Sequence, residues 1–393
     1  MGIAPVDHRV DWSREIDRAA FGPAAPTMVF QPIVDLRAGR VTGFEALARF
    51  DDSPTPPDVW FSQAASYGVA DVLESRAIAA ALRARAGLPT GCFLTVNVSP
   101  DLLPSDAVME VLSAAGDLTG VVIELTEQTE LTQLSAVNAA LAFVRTRNAM
   151  VAVDDAGAGY AGLQRLLEIR PDMVKLDRAL VDRVDQDGAK QALARMLGDL
   201  SGHLDAWLLA EGVERIQELD TFAAMGVPLG QGWLFGHPSP TFSTALDASL
   251  VRRMRALGRD TPAQRESVAR LVDADTLTLP AGHSLGLLAS SLGHQGVRVV
   301  VDHDGRPTAM LLDRAGHVGT APVSLRVHES DPLVDVAQRA LLRPAAVRWD
   351  PVVCVDPNGR LTGTIHVQRL LLEAVGAPTG RGASPSSTRE EPR

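Results

Sequence analysis

Two adjacent carboxylates end a short apolar run in the stretch VAVDDAGAGY, which covers residues 151–160. The run before Asp154 and Asp155 is typical of a buried strand, and neighbouring negative charges repel each other and resist removal from water. Other polar residues stand at or just beyond the ends of further apolar runs: Glu45, Asn97, Glu124, Lys175, Glu211, Glu214 and Gln231. Six of these nine residues are carboxylates, so a cleft that gathers them needs cations to offset their repulsion.

The types of ligand atom indicate which cations these are. Carboxylate and amide oxygens, with no histidine or thiolate among them, favour Mg²⁺ or Mn²⁺ over Zn²⁺. The neighbouring Asp154 and Asp155 indicate two ions. In a two-metal site, ions about 4 Å apart hold an activated water and stabilise the charge that develops as a phosphodiester is displaced in line.

Each of these motifs also has a structural interpretation. Asp154 and Asp155 precede Gly157, so they could serve as turn and helix-cap residues. Glu211 could lie in a solvated helix start, and Lys175 could be a surface lysine at a strand end. The metal hypothesis therefore depends on the joint occurrence of these residues at strand ends and not on any single motif.

The apolar runs that must position these residues alternate with helix-like segments, such as DVLESRAIAAALRARAG from Asp71. Eight runs recur: MVFQPIVDL, VTGFEALARF, CFLTVNVS, VVIELTE, MVAVDDAG, MVKLD, WLLAEGVE and GQGWLFG. This alternation predicts an α/β protein with a (β/α)8 TIM-like barrel, in which the carboxyl ends of the strands meet on one face. Only Arg37–Arg40 separates the first two runs, which is too short for a crossover helix, so one antiparallel strand is expected.

Length and composition predict two globular domains. The chain has 393 residues, of which 46% are hydrophobic and 22% are charged. A net charge of −11 disfavours binding to nucleic-acid polymers, because that binding relies on basic patches. No signal peptide, membrane-spanning stretch or membrane partner is expected, and the distant Cys92 and Cys354 do not indicate a disulfide framework, so a cytoplasmic protein is predicted.

Changes in sequence character predict the domain boundaries. We expect an N-terminal extension over 1–27, a barrel over 28–258 that ends in a helical stretch over 241–257, a linker over 259–268, a smaller α+β domain over 269–375 and a disordered tail over 376–393. The α+β domain contains an internal repeat, since VVVDHDGRPTAMLLDR and VCVDPNGRLTGTIHVQR share a strand, an Asp, a turn and a second strand. His303 and Asp304 fall in the first turn, so a hairpin is favoured over a histidine-aspartate metal site.

Between about Val29 and Pro240 the sequence resembles the EAL-domain phosphodiesterases, which hydrolyse the bacterial second messenger cyclic diguanylate (cyclic di-GMP) to linear pGpG. The motifs that carry the resemblance occur in the order FQPIVDL, GFEALARF, NVSP, ELTE, DDAGAGY, KLD, EGVE and QGWLFGHP. The resemblance implies a barrel with one antiparallel strand, hydrolysis that depends on two Mg²⁺ or Mn²⁺ ions, cyclic di-GMP as the substrate, and a homodimer.

The resemblance also implies a role for each site residue. The ligands of one ion would be Glu45, Asn97, Glu124 and Asp154, and those of the other would be Asp154, Asp155 and Glu211. The residues that act in catalysis would be Lys175, which orients or deprotonates the attacking water, with Glu45 and Glu214. The residues around the substrate would be Gln31, Arg49, Asp177 and Gln231, with Arg49 on a phosphate. The loop after Asp155 would be anchored by Glu127, although the Phe that the family usually has there is replaced by Ala156.

The C-terminal repeat resembles a pair of cystathionine-β-synthase-type (CBS) modules, which bind adenosine nucleotides in regulatory proteins. The ribose-binding aspartate of that family is replaced near Ala315 and by Arg369, so a dimerising or structural domain is favoured over adenosine nucleotide binding. For the whole chain, the phosphodiesterase is weighed against a catalytically silent receptor of cyclic di-GMP that signals through a partner. Such receptors tend to lose metal ligands or the lysine, whereas this sequence keeps all of them, which favours the enzyme.

Overall fold

The structure is a computed structural model that describes residues 10–23, 25–50, 53–126, 134–156, 160–260, 267–280, 297–314 and 317–376. The strands of these residues form a closed eight-stranded barrel and two smaller sheets. The barrel comes first in the chain, and both smaller sheets belong to the C-terminal region.

The barrel strands follow one another in space in the order in which they occur in the chain. They are β1 (Thr27–Asp35), β2 (Arg40–Arg49), β3 (Phe93–Val98), β4 (Val121–Leu125), β5 (Met150–Ala156), β6 (Met173–Leu176), β7 (Trp207–Glu211) and β8 (Leu229–Gln231). Strand β1 is antiparallel to both of its neighbours, β2 and β8, and the other neighbouring pairs are parallel. The predicted TIM-like barrel with one antiparallel strand is therefore confirmed.

Helices pack around the outside of the barrel. They are α1 (Trp12–Ala20), α2 (Pro57–Ser66), α3 (Ala70–Ala84), α4 (Asp106–Ala114), α5 (Leu134–Thr146), α6 (Tyr160–Ile169), α7 (Arg178–Val181), α8 (Gly188–His203), α9 (Ile216–Met225) and α10 (Ala248–Asp260). Helix α10 begins later than the predicted 241–257, because Asp247 Oδ1 accepts bonds from the backbone N–H groups of Ser249 and Leu250 and so caps the helix at this point.

Part of the N-terminal extension is ordered against the barrel, which the polar character of this segment did not indicate. Helix α1 buries Ile16 and Ala19. Its Trp12 meets Trp60 of α2 edge to face, with 5.2 Å between the ring centroids. Arg76 of α3 donates to the carbonyl of Ala20, so an aromatic contact and a charged hydrogen bond both hold α1 in place.

The inside of the barrel has an apolar lower layer and a polar upper layer. Side chains alternate between the two faces of a strand, so residues two apart point the same way. In β4, β5 and β6 the buried Val122, Ala152 and Met173 belong to one apolar cluster. The residues two positions further along these strands are Glu124, Asp154 and Lys175. Strand periodicity thus brings the polar residues of the sequence motifs together above an apolar floor.

The C-terminal region contains two hairpins with the same turn. Its strands are β9 (Leu277–Pro280), β10 (Arg298–Val301), β11 (Pro307–Arg314), β12 (His317–Ala321), β13 (Arg326–Val327), β14 (Val352–Val355) and β15 (Leu361–Ile365), and its helices are α11 (Leu333–Leu342) and α12 (Val367–Gly376). In the β10–β11 turn Asp302 Oδ1 accepts from the backbone of Asp304 and Arg306. Asp356 Oδ1 accepts from the residues at the same offsets in the β14–β15 turn. The predicted repeat and the hairpin at His303 are confirmed.

The C-terminal region packs against the lower end of the barrel, where the parallel strands begin. Trp207, the first residue of β7, lies against the ring of His328, with 3.5 Å between the ring centroids. Asn358 Nδ2 donates to the carbonyl of Gly91, just before β3, at 2.7 Å. Arg339 forms an ion pair with Asp205. The C-terminal region therefore contacts the face opposite to the polar upper layer.

Two general properties of the chain can be compared with the expectations from sequence. Cys92 and Cys354 are both free thiols, as predicted. In the part of the chain that the structure describes, each helix is too short or too polar to span a bilayer.

Candidate active site

The polar upper layer of the barrel brings together residues from all eight strands. Gln31 comes from β1, Glu45 from β2 and Asn97 from β3. The remaining members come from β4 to β8 in turn: Glu124, Asp154, Lys175, Glu211 and Gln231. Strand pairing aligns several of them directly, because Gln31 is the register partner of Glu45 and Glu211 is that of Gln231.

Lys175 lies at the centre of this layer and is almost fully buried, with 1% of its surface exposed. Its Nζ is 2.5 Å from Glu124 Oε1 and 2.9 Å from Glu211 Oε2. The same atom is 3.5 Å from Asp154 Oδ1 and 3.9 Å from Glu45 Oε1. The interpretation of Lys175 as a surface lysine is therefore wrong, because one ammonium group is buried among four carboxylates.

The charges of this cluster shift the pKa values of its members. Burial lowers the pKa of Lys175, but the four surrounding carboxylates raise it more, so that it lies well above its ordinary value. Burial raises the pKa of Glu124 well above its usual range, and the neighbouring carboxylates add to this effect while Lys175 opposes it. Burial likewise raises the pKa of Glu211 to about 7. Four carboxyl groups thus surround one lysine, and their burial and mutual repulsion disfavour the charged forms of Glu124 and Glu211.

Glu45 is held by two side-chain amides. Asn97 Nδ2 donates to Glu45 Oε1 at 2.9 Å, and Gln231 Nε2 donates to Glu45 Oε2 at 2.5 Å. Gln231 Nε2 also lies 3.2 Å from Gln31 Oε1, which links the amide to β1. One oxygen of the Glu45 carboxylate is thus oriented by β3 and the other by β8.

Three buried oxygens in this layer accept no well-aligned hydrogen bond from the described residues. They are Glu124 Oε2, Gln231 Oε1 and Glu211 Oε2, of which the last is 2.9 Å from Lys175 Nζ. A buried acceptor without a donor is costly, and an oxygen-preferring cation would satisfy it. Together with the excess of carboxylates, these oxygens fit a site for hard divalent cations.

The remaining predicted residues lie around the rim of the barrel. Arg49 ends β2 and is half-buried, and its NH1 donates to its neighbour's carbonyl at 2.7 Å. Asp177 Oδ1 accepts from Ala179 N at 2.5 Å and so caps α7. Glu214 is paired with Arg178, with 2.7 Å between Oε1 and NH2. In this structure Arg49 and Asp177 are bonded to their own backbone segments and Glu214 to α7, and none of the three is paired with Lys175.

The loop that follows β5 falls largely outside the described residues. Glu127, the predicted anchor, lies in the undescribed segment 127–133. Asp155 and Ala156 belong to the backbone of β5, but the positions of their side chains lie outside the description. The predicted roles of these three residues remain predictions.

Two buried glutamates that support the site were missed by the sequence reasoning. Glu74 of α3 accepts from the backbone N–H of Ser99 at 2.8 Å and from its hydroxyl at 2.6 Å, just after Asn97. Glu218 accepts from the backbone N–H groups of Glu214 and Arg215, both at 3.0 Å, just after Glu211. For Glu74 the available signal was a carboxylate on the apolar side of a helix, and for Glu218 it was the capping-box spacing from Arg215.

The profile of the family described as EAL domain matches residues 18–238, more than half of the chain. The chain belongs to the EAL domain family. The matched segment contains all eight barrel strands and every member of the polar upper layer. The EAL barrel therefore accounts for the first domain, and the C-terminal region lies beyond the match.

Curated and solved relatives share this EAL barrel. RocR of Pseudomonas aeruginosa, a cyclic di-GMP phosphodiesterase by name, is 30% identical over 251 residues, which are 61% of this chain and 62% of RocR. BluF of Escherichia coli, a blue light- and temperature-regulated antirepressor, is 28% identical over 230 residues, 56% of this chain and 57% of BluF. A BlrP1 structure from Klebsiella pneumoniae with calcium and cyclic di-GMP has 32% identity and a TM-score of 0.50, over 55% of this chain and 56% of BlrP1. The chain spans less than two thirds of the length of these relatives.

Proposed function

We propose that this protein hydrolyses cyclic di-GMP to linear pGpG with the help of divalent cations. The observation that carries the proposal is the cluster of four carboxylates from β2, β4, β5 and β7 around the buried Lys175. RocR is a phosphodiesterase of this substrate by name, and BlrP1 binds it together with calcium. Both relatives share the EAL barrel with this chain, which supports the same substrate here.

The proposed ligands of the two ions follow the pattern of the upper layer. One ion would be held by Glu45, Asn97, Glu124 and Asp154. The other would be held by Asp154, Asp155 and Glu211. Mg²⁺ or Mn²⁺ suits these oxygen donors, and bound ions would supply an activated water and neutralise the phosphate in the transition state.

Lys175 is the residue proposed to act on the attacking water. Its ammonium group can donate up to three hydrogen bonds, so it can orient an oxygen that attacks phosphorus. Cations bound to the surrounding carboxylates would weaken the field that raises its pKa, which would allow it to act as a proton acceptor as well. In the reaction, the bond from the water oxygen to phosphorus forms, the bond from phosphorus to one ribose oxygen breaks, and the leaving oxygen takes a proton.

The rim residues are the proposed contacts to the substrate. Arg49 would bind a phosphate, since a guanidinium pairs with two phosphate oxygens. Gln31, Asp177 and Gln231 would contact the remainder of the dinucleotide, and Glu214 would assist catalysis. Glu127 would order the loop after Asp155. To reach the substrate, Asp177 must exchange its bond to Ala179 N, and Glu214 its pair with Arg178.

A silent receptor of cyclic di-GMP is the second candidate. BluF, which is named an antirepressor and not an enzyme, belongs among the relatives that match the EAL barrel. A receptor that only binds cyclic di-GMP does not require a buried lysine next to the metal ligands. We favour the enzyme because Lys175 and the described ligand residues meet in one cluster.

The test is incubation of the pure full chain with cyclic di-GMP and either Mg²⁺ or Mn²⁺, with nucleotides separated by chromatography. We expect pGpG to accumulate, and EDTA to stop its formation. In the same assay Lys175→Ala should form little pGpG. Its matched control is Lys190→Ala, which changes the other lysine of the chain. Binding of cyclic di-GMP without any pGpG, under both metals, would overturn the enzyme in favour of the receptor.

A further inference from the structure

A cavity of about 630 Å³ lies between the lower end of the barrel and the C-terminal region. The barrel contributes the turn between β1 and β2, the start of β8, Trp207 and one residue of α10. The C-terminal region contributes residues 329–330 and the turn between β14 and β15. Ligand sites occur preferentially at such domain interfaces, and this volume falls within the usual range for small-molecule pockets, about 300–1,000 Å³.

Three arginines of the barrel line this cavity, although the chain as a whole carries a net charge of −11. Arg37 NH1 is 3.4 Å from Glu329 of the C-terminal region. Arg40 Nε is 4.0 Å from Asp35, at the outer limit of an ion pair. Arg255 donates its Nε to the carbonyl of Ala38 at 2.9 Å, and no described carboxylate lies within ion-pair distance of its guanidinium. Guanidinium groups therefore face this cavity with capacity for a further anion.

Three carboxylates also line the cavity, so its formal charges balance, but they are unevenly shared among the arginines. Asp35 Oδ1 accepts from the backbone N–H groups of Arg37 and Ala38 and so holds the turn between β1 and β2. Asp356 Oδ1 accepts from two backbone N–H groups of its own turn. Glu329 is the partner of Arg37. Two of the three carboxylates thus also hold local turns, and Arg255 is the arginine of the lining that has no carboxylate partner among the described residues.

Another part of the lining of the cavity is apolar. It includes Trp207 and Val355, which also border the contact with His328, together with Pro228 and Pro357. An inorganic anion alone would leave this part without a partner. A molecule with an anionic head and a planar or apolar body matches both parts of the lining, since arginine pairs with phosphate oxygens and flat apolar surfaces bury the body.

We propose that this interdomain cavity binds a phosphorylated small molecule with a planar or apolar body. The phosphate lies between Arg40 and Arg255, and the body lies along Trp207 and Pro228. The site is distinct from the candidate active site, which lies at the opposite end of the barrel. The C-terminal region adds Val355 and Pro357 to the apolar part of the lining, so the complete site requires both parts of the chain.

The test is calorimetric titration of the full chain, in EDTA and phosphate-free buffer, with pyrophosphate, AMP and GMP as probes. We expect AMP or GMP to bind more tightly than pyrophosphate, which lacks a body. Arg255→Ala and Arg40→Ala should each weaken that binding at least about 10-fold, because each removes a charged hydrogen-bond donor. The matched control is Arg252→Ala, which removes an exposed arginine from the same helix.

Three results would overturn the proposal. The first is no binding of any probe at millimolar concentration. The second is binding that Arg40→Ala and Arg255→Ala leave unchanged. The third is displacement of the bound probe by cyclic di-GMP in the presence of Ca²⁺, since that result would assign the probe to the upper end of the barrel. None of these results bears on whether the protein produces pGpG, so the two proposals fail separately.

Discussion

Lys175 Nζ and Glu124 Oε1 lie 2.5 Å apart at a point where both side chains are withdrawn from solvent. The two residues are 51 positions apart in sequence and come from β6 and β4, which are not neighbours in the barrel. The ion pair therefore joins two strands inside the barrel that are separated by β5. An ion pair buried in this way is costly unless further charges or cations share it, so its position is better explained by chemistry than by stability.

Lys175→Ala tests the role of this pair in catalysis. At saturating Mn²⁺ we expect kcat to fall about 10²–10⁴-fold, because a group that acts on the attacking water is lost. KM should change little, since the phosphate contacts remain. The measurement is the rate of pGpG formation over a range of substrate concentrations, with Lys190→Ala as control. Near-normal kcat in Lys175→Ala would show that Lys175 acts only in the structure.

Glu45→Ala tests the metal site. It removes a carboxylate on which Asn97 and Gln231 converge, so we expect both the apparent Mn²⁺ affinity and the turnover to fall. Glu110→Ala, an exposed position on α4, is the matched control. Metal affinity is measured by the Mn²⁺ dependence of the rate and by calorimetry without substrate. A change confined to KM would contradict a role for Glu45 as ligand.

Replacement of Mg²⁺ or Mn²⁺ by Ca²⁺ should separate binding from hydrolysis. Ca²⁺ accepts the same oxygen ligands, but its longer bonds and looser geometry activate water less. We expect cyclic di-GMP to bind to the Ca²⁺-loaded protein and to remain intact for hours. Binding is followed by calorimetry and the nucleotide by chromatography. Rapid pGpG formation with Ca²⁺ would argue against the two-metal mechanism.

Glu74 should make stability depend on pH. Burial raises its pKa from an ordinary 4.5 to about 7, so between these values the folded protein binds a proton that the unfolded chain releases. Stability from this group is complete below pH 4.5 and is lost as the pH rises towards 7. Relative to Glu74→Gln, wild type should lose up to about 3 kcal/mol over this window, since one pKa unit is worth about 1.4 kcal/mol.

The measurement for Glu74 is urea unfolding of the wild type and of Glu74→Gln at several pH values between 4.5 and 8. The contributions of titratable groups that both proteins share cancel when the free energy of unfolding of one protein is subtracted from that of the other. The exposed Glu110→Gln serves as control and should give a difference that does not change with pH. A constant difference for Glu74→Gln as well would mean that Ser99 keeps Glu74 ionised through its two hydrogen bonds.

The proposed domain boundary predicts that residues 10–260 fold without the C-terminal region. The barrel closes on itself through the β1–β8 pairing, and its main hydrophobic cluster is formed by residues up to Met254. We expect this fragment to unfold cooperatively and to retain any phosphodiesterase activity. Trp207, which is 8% exposed in the full chain, should become solvated and its fluorescence should shift to the red. Loss of cooperative unfolding would place the boundary elsewhere.

The local pattern of the sequence was enough to predict the barrel and most of its upper layer. The strands β4 to β8 each carry an apolar residue two positions before the polar one, and the alternation of side chains along a strand is a local property. The short Arg37–Arg40 turn likewise determined the antiparallel strand, because four residues cannot span a crossover. The pairs Val122 with Glu124, Ala152 with Asp154 and Met173 with Lys175 are examples in which spacing alone predicted the outcome.

Only the tertiary structure decided which charges meet and how deeply they are buried. That Lys175 lies among carboxylates of four other strands depends on barrel closure, which brings together residues far apart in the chain. Glu74 acquires its role only because the loop after β3 comes to lie beside α3, which no local spacing shows. The contact of Trp207 with His328, and the arginine-lined cavity beside it, arise from packing between two parts of the chain. Such packing depends on the complementary shape of distant surfaces, which no local pattern of residues records.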